Sequence, residues 1–145
     1  MIKIALFQFL ILWSMVGSLH GQSSVVVNIT KFKNDKGVCR ACLFNNSNSF
    51  QNKSDALVCK SSKVVNGTAT VTFNANSDGN YAVMVFHDEN NNNIFDKNFL
   101  GIPKEGYGAS KNKLPLAAAP SFHSNSFIVN NNQLITLRIV LRYLY

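Results

Sequence analysis

Apolar residues in this chain come in short runs at strand spacing, and helical periodicity is scarce. The stretch TATVTF, residues 68–73, alternates Thr with Ala, Val and Phe, so its apolar side chains share one face of a strand. Asn66 and Gly67 stand just before it, a pair suited to the tight turn of a hairpin. Six further β-branched and aromatic runs read as strands over residues 24–32, 38–44, 57–65, 81–87, 126–129 and 134–145. Asn, Asp, Gly and Ser break the chain between them at 34–37, 74–80 and 130–133. Only residues 45–56 leave room for a short helical turn. Seven short strands at these intervals predict an all-β fold, a seven-stranded antiparallel β-sandwich.

The domain begins after residue 21. The opening stretch has Lys3, then an apolar run over residues 4–16 broken only by Gln8 and Ser14, then the small residues Gly17, Ser18 and Gly21. That order is the one of a secretory signal, with cleavage expected between Gly21 and Gln22. The run is short against the roughly 20 residues of a membrane-spanning helix, so no span is expected after cleavage. The chain is therefore read as exported, periplasmic or extracellular, with residues 22–145 as one domain. The formal charge is +7, and removing Lys3 leaves +6. The basic residues are scattered, which excludes a nucleic-acid patch and indicates a solvated basic surface.

Three cysteines remain, Cys39, Cys42 and Cys59. Cys39 and Cys42 have redox-motif spacing, but both lie in an expected strand, where residues three apart point to opposite faces. A bridge from Cys59 to Cys42 or to Cys39, or buried thiols, is the reading that spacing leaves.

Residues 88–124 lack strand signals, and a structureless connection of that length is uncommon in a compact domain. This one holds all three prolines and the apolar Ile94, Phe95, Phe99, Leu100, Ile102, Tyr107, Leu114, Leu116 and Phe122. It is expected to be ordered and to fold onto one end of the sandwich. Its start, DENNNNIFD, spaces oxygen-bearing side chains as a calcium loop does. With Asp88 as position 1, Asn90 and Asn92 fall at 3 and 5, the Ile94 carbonyl at 7 and Asp96 at 9. Asn93 occupies the position that needs a left-handed backbone, which Asn tolerates. Phe99 stands where a bidentate Glu would close the shell, so Glu89 or Glu105 would complete it from outside the register. Calcium is the expected cofactor, held weakly.

The segment YAVMVFHDENNNNIFDKNFLGIPKEGYGASKN resembles the signature of a secreted bacterial family, domain of unknown function 2141. That signature runs Y-A-V-x-V-x-H-D-E-N-x-N-G-x-x-D, then G-I-P-x-E-x-Y-G-F-S, and a later P-x-F matches Pro120 and Phe122. The likeness covers residues 81–122. Here Asn93 replaces the usual Gly, and Ala109 the usual Phe. The resemblance implies an exported sandwich of the transthyretin-like or immunoglobulin-like kind and implies no activity. The short D-x-N-x-N-x-x-x-D element is also similar to the calcium loops of bacterial surface-adhesin B-type repeats.

No nucleophile motif is visible, so the chain is read as a non-enzymatic binding or structural module. The alternative is a small secreted hydrolase using His87 and the nearby acids. His87, Phe99, Tyr107 and Phe122 are the residues expected at a ligand surface, with a protein or glycan at the cell envelope as partner.

Overall fold

The computed structural model describes residues 22–144. The expected signal segment, residues 1–21, lies outside the described residues. Eight strands and two short helices follow in the order β1 (Ser23–Thr30), β2 (Val38–Phe44), α1 (Ser47–Asn52), β3 (Val58–Lys63), β4 (Thr68–Ala75), β5 (Gly79–Asp88), β6 (Tyr107–Ala109), α2 (Phe122–Asn125), β7 (Phe127–Val129) and β8 (Leu134–Val140). They form two sheets, β4-β1-β8 and β3-β2-β5-β6, and β7 pairs with the start of β5. The fold is an all-β sandwich.

Alternation builds the core. Val25, Val27 and Ile29 of β1 and Val71 and Phe73 of β4 face inward from one sheet. Cys39, Ala41 and Leu43 of β2 and Tyr81, Val83 and Val85 of β5 meet them from the other. Each fully buried aliphatic or aromatic side chain contributes about 1.5–3 kcal/mol. The alternate residues of β5, Ala82, Met84 and Phe86, face outward, yet they are also covered. Phe44, Phe50, Tyr107, Ala109 and Leu114 form a second apolar cluster there, joined by Phe95 and Phe122. A strand covered on both faces needs no polar alternation, which accounts for the unbroken run YAVMVF.

The second cluster revises the expected course of residues 88–124. This segment lies across the outer face of the five-stranded sheet, not over one end of the sandwich. It contains a strand, β6, paired to β5 through Met84, Val85 and Phe86, and it runs into α2. β6 raises the strand number from seven to eight. A second difference is direction: β8 runs parallel to β1, with Ser24 opposite Leu134 and Thr30 opposite Val140. The remaining pairs are antiparallel. The closing strand also stops at Val140; Arg142 then exchanges two backbone hydrogen bonds with Tyr107, so the chain passes from one sheet to the other.

α1 is fixed by Asn46, whose side chain accepts the Ser49 N–H, and by Lys53, left-handed at φ 52°. It seats Phe50, fully buried, edge-on to Phe44 and Phe122. Cys42 and Cys59 sit directly opposite each other on β2 and β3 and are joined by a disulfide. Cys39 faces the other way, into the core, where burial pushes its thiol up to about 12. It stays protonated and poorly nucleophilic at neutral pH.

Candidate functional site

β5 delivers Asp88 to the outer face of the sheet, fully buried at the point where the strand ends. Arg40, on the same face of β2, donates its Nε–H to Asp88 Oδ2 and its Nη1–H to Ser61. The chain then doubles back. The Asn92 N–H donates to Asp88 Oδ1 at 3.1 Å, and the Asn93 N–H to Asp88 Oδ2 at 2.9 Å. Two left-handed residues make this possible, Asn91 at φ 62° and Asn93 at φ 65°, and asparagine tolerates that conformation better than most residues. Asn90 Oδ1 accepts from the Asn92 N–H and Asn92 Oδ1 from the Ile94 N–H. The side-chain amides of Asn90 and Asn92 both donate to Asp96 Oδ2, at 2.8 and 3.0 Å. Glu105, nearly buried, closes the loop by accepting the N–H groups of Glu89 and Asp96.

The structure thus gathers Asp88, Asn90, Asn92, Asp96 and Glu105 into one loop, while the Ile94 side chain is exposed. The oxygens of that loop accept hydrogen bonds from its own N–H groups. Among the described residues, no group of three or more His, Cys, Asp or Glu side chains is arranged to hold a metal ion. Charge is balanced from within the sheet. Burial alone would raise the Asp88 carboxyl, but Arg40 and the Asn93 and Asn92 N–H groups outweigh it and hold Asp88 below its ordinary value. Glu105 has no such cation. Burial pushes its carboxyl up, Asp96 and Asp88 push it further, and its two N–H donors only partly offset them.

Gly37 fits this corner because it has no side chain. It is left-handed at φ 64°, and a Cβ on it would lie 1.9 Å from the Asp88 carbonyl oxygen. The turn from β1 to β2 is therefore pressed against the backbone that starts the loop.

His87 is fully buried on the inner face, which corrects its expected place at a ligand surface. Its Nε2–H donates to the Lys36 carbonyl at 2.7 Å, and its Nδ1 is 2.8 Å from the Tyr143 hydroxyl. That hydroxyl also accepts the Lys33 N–H. Tyr143 reaches His87 across Gly106, where a Cβ would come within 2.3 Å of its ring. With both ring nitrogens engaged and no surface exposed, His87 ties three segments together and offers no nitrogen to a substrate. Tyr107 is buried as well, and Phe122 is half-buried against Phe50. Both belong to the packing under the loop. Phe99 alone of the expected surface set is open, 94% exposed.

Sequence reasoning overlooked two partners, Arg40 and Tyr143. Arg40 carried a signal: a lone charge inside the apolar strand VCRACLF needs an opposite charge on its own face. It also overlooked a groove beside the loop of about 590 Å³, bordered by Leu100, Ile102, Pro103 and Leu116 and floored by Phe95 and Tyr107.

No curated protein matches this chain. One solved structure, a fimbrial assembly protein from Parabacteroides distasonis ATCC 8503, is 10% identical with a TM-score of 0.37. That match covers 83% of this chain and 52% of the other, so the chain spans about half the length of the protein it matches. The family model described as "Uncharacterized protein conserved in bacteria (DUF2141)" matches residues 27–136, and the segment from Tyr81 to Phe122 that forms the polar loop and most of the groove lies within that span. The chain belongs to the DUF2141 family of bacterial proteins.

Proposed function

We propose that this chain is an exported, non-catalytic module that binds an apolar ligand in the groove beside its polar loop. The observation that carries this reading is the exposure of large apolar side chains around that groove: Leu100 is 67% and Leu116 84% exposed. Single exposed apolar residues are ordinary, but several around one concavity mark a binding surface. The hydrogen-bonded loop from Asp88 to Glu105 holds one wall of it in place. A stacking surface for a glycan is less well supported, since Tyr107 and Phe122 are taken up by packing. The test uses Nile red, an uncharged apolar dye. It should bind the folded protein with enhanced fluorescence, and Leu116→Ser should weaken binding at least tenfold with the unfolding midpoint unchanged. Dye binding that ignores Leu116→Ser would reduce the groove to a surface irregularity.

Calcium is a second reading, favoured by the repulsion that Asp96 and Asp88 exert on Glu105, which a divalent cation would relieve. The cation would take the place of the Asn90 and Asn92 amides on Asp96. Thermal unfolding in millimolar calcium should then show a midpoint several degrees above that in chelator, with the gain lost in Asp96→Asn. Equal midpoints would leave the loop closed by its own hydrogen bonds.

A further inference from the structure

The groove has one electrostatic feature that its apolar wall does not explain. Lys53 Nζ lies 5.7 Å from the centre of the Phe95 ring, and Lys97 Nζ lies 5.9 Å from the same centre. Two ammonium groups thus stand near one aromatic ring on the border of the groove. Neither is within ion-pair distance of a carboxylate; the Lys and Arg ion pairs among the described residues are Lys33–Glu89 and Arg40–Asp88. No Asp or Glu lines the groove. The backbone that carries Lys53 and the ring that both lysines approach are each fixed. Lys53 is the left-handed cap of α1, its N–H bonded to the Ser49 carbonyl, and Phe95 is wedged against Phe86 and Tyr107 at 5.4 and 5.8 Å. Partial burial and then the nearby Lys97 pull the Lys53 ammonium below its ordinary value, as expected where like charges meet without a counter-ion.

Beyond these two lysines the lining is nearly featureless. Apart from the Tyr107 hydroxyl, no other polar side chain contributes; Leu100, Ile102, Leu116 and a run of three alanines do. A peptide laid there would leave its amide groups without side-chain partners. These side chains suit a ligand with one anionic group and an otherwise apolar body. The volume of about 590 Å³ falls within the roughly 300–1,000 Å³ of small-molecule sites. Resting on the binding role proposed above, we infer that the occupant is a free long-chain fatty acid. Its carboxylate bridges Lys53 and Lys97, and its acyl chain lies over Phe95 along Leu100, Ile102 and Leu116.

The experiment is titration of the purified protein with palmitate, with hexadecanol as the uncharged analogue and Nile red as the groove reporter. Palmitate should displace Nile red and bind at least tenfold more tightly than hexadecanol. Lys53→Met with Lys97→Met should abolish that preference, bringing palmitate to the affinity of hexadecanol. Leu116→Ser should weaken all three. Palmitate and hexadecanol binding equally, with Nile red still sensitive to Leu116→Ser, would overturn the fatty acid and keep the binding module. No Leu116-dependent binding of any probe would overturn both. Lysine-dependent capture by vesicles of anionic phospholipid, without binding of monomeric palmitate, would overturn the free acid in favour of a lipid surface.

Discussion

Gly37→Ala should lower the stability of this protein by about 3 kcal/mol, although it adds a single methyl group in a turn. Two costs combine. A left-handed backbone at φ 64° costs an L-residue about 1–2 kcal/mol. The new Cβ would also overlap the Asp88 carbonyl oxygen at 1.9 Å and crowd the Glu89 Cα at 2.7 Å. Both neighbours are backbone, so no side chain can swing aside. Either the β1–β2 turn lifts or the peptide between Asp88 and Glu89 moves, and the latter carries the whole polar loop with it. The expected drop in thermal midpoint is about 10 °C for a domain of this size. Urea unfolding should give the same order of loss without a change in slope. A loss below about 1 kcal/mol would mean that the turn is not held against β5.

Asp88→Ala should cost about 3–5 kcal/mol, the range for removing one member of a buried ion pair. Asp88 is fully buried, and its partner Arg40, opposite Phe86 in the sheet and 23% exposed, would keep only Ser61 and water to accept from it. The Asn92 and Asn93 N–H groups would lose their acceptor at the same time. Arg40→Ala should also be destabilising, and the double variant should cost less than the two singles together by more than about 1 kcal/mol. Strict additivity in denaturant midpoints would remove the pair as the anchor of the loop. The sign with pH follows from the shift. Folding lowers the Asp88 carboxyl below its ordinary 3.8, so the stability it contributes is present above that value. It is lost as pH falls through the lower folded value.

The elements that alternate were legible in the chain. Thr68–Ala75 shows apolar residues at every second position and forms a strand where that pattern stands. Tyr107–Ala109 was not legible, because Y-G-A has neither length nor β-branched residues, and it is a strand only through its partner Met84–Phe86. The direction of β8 was hidden for a related reason: alternation tells which face is apolar and says nothing about which neighbour the strand meets. Within the loop, the positions of Asp88, Asn90, Asn92 and Asp96 could be read from spacing, as could the left-handed turn at Asn93. Local geometry sets those. The engagement of Asp88 with Arg40, 48 residues earlier, and of His87 with Tyr143, 56 residues later, depends on sheet register and on the return of the chain end, and neither is written in any local pattern.

The parallel pairing of β1 with β8 has a consequence for the order in which this domain can come together. β1 is the central strand of its sheet, and one of its two ladders is supplied by Leu134–Val140, far along the chain from β1. Synthesis proceeds from the N-terminus, so β1 emerges with that edge open and keeps it open until Leu134–Val140 is made. The antiparallel half, β1 with β4, can zip early; the far edge must wait for a contact of very long loop closure, the kind that makes folding slow. Until Leu134–Val140 arrives, the chain carries an unpaired row of N–H and C=O groups beside Val25, Val27 and Ile29. That exposed row is the place where an unfinished molecule is most open to capture by a chaperone, or to pairing with another copy.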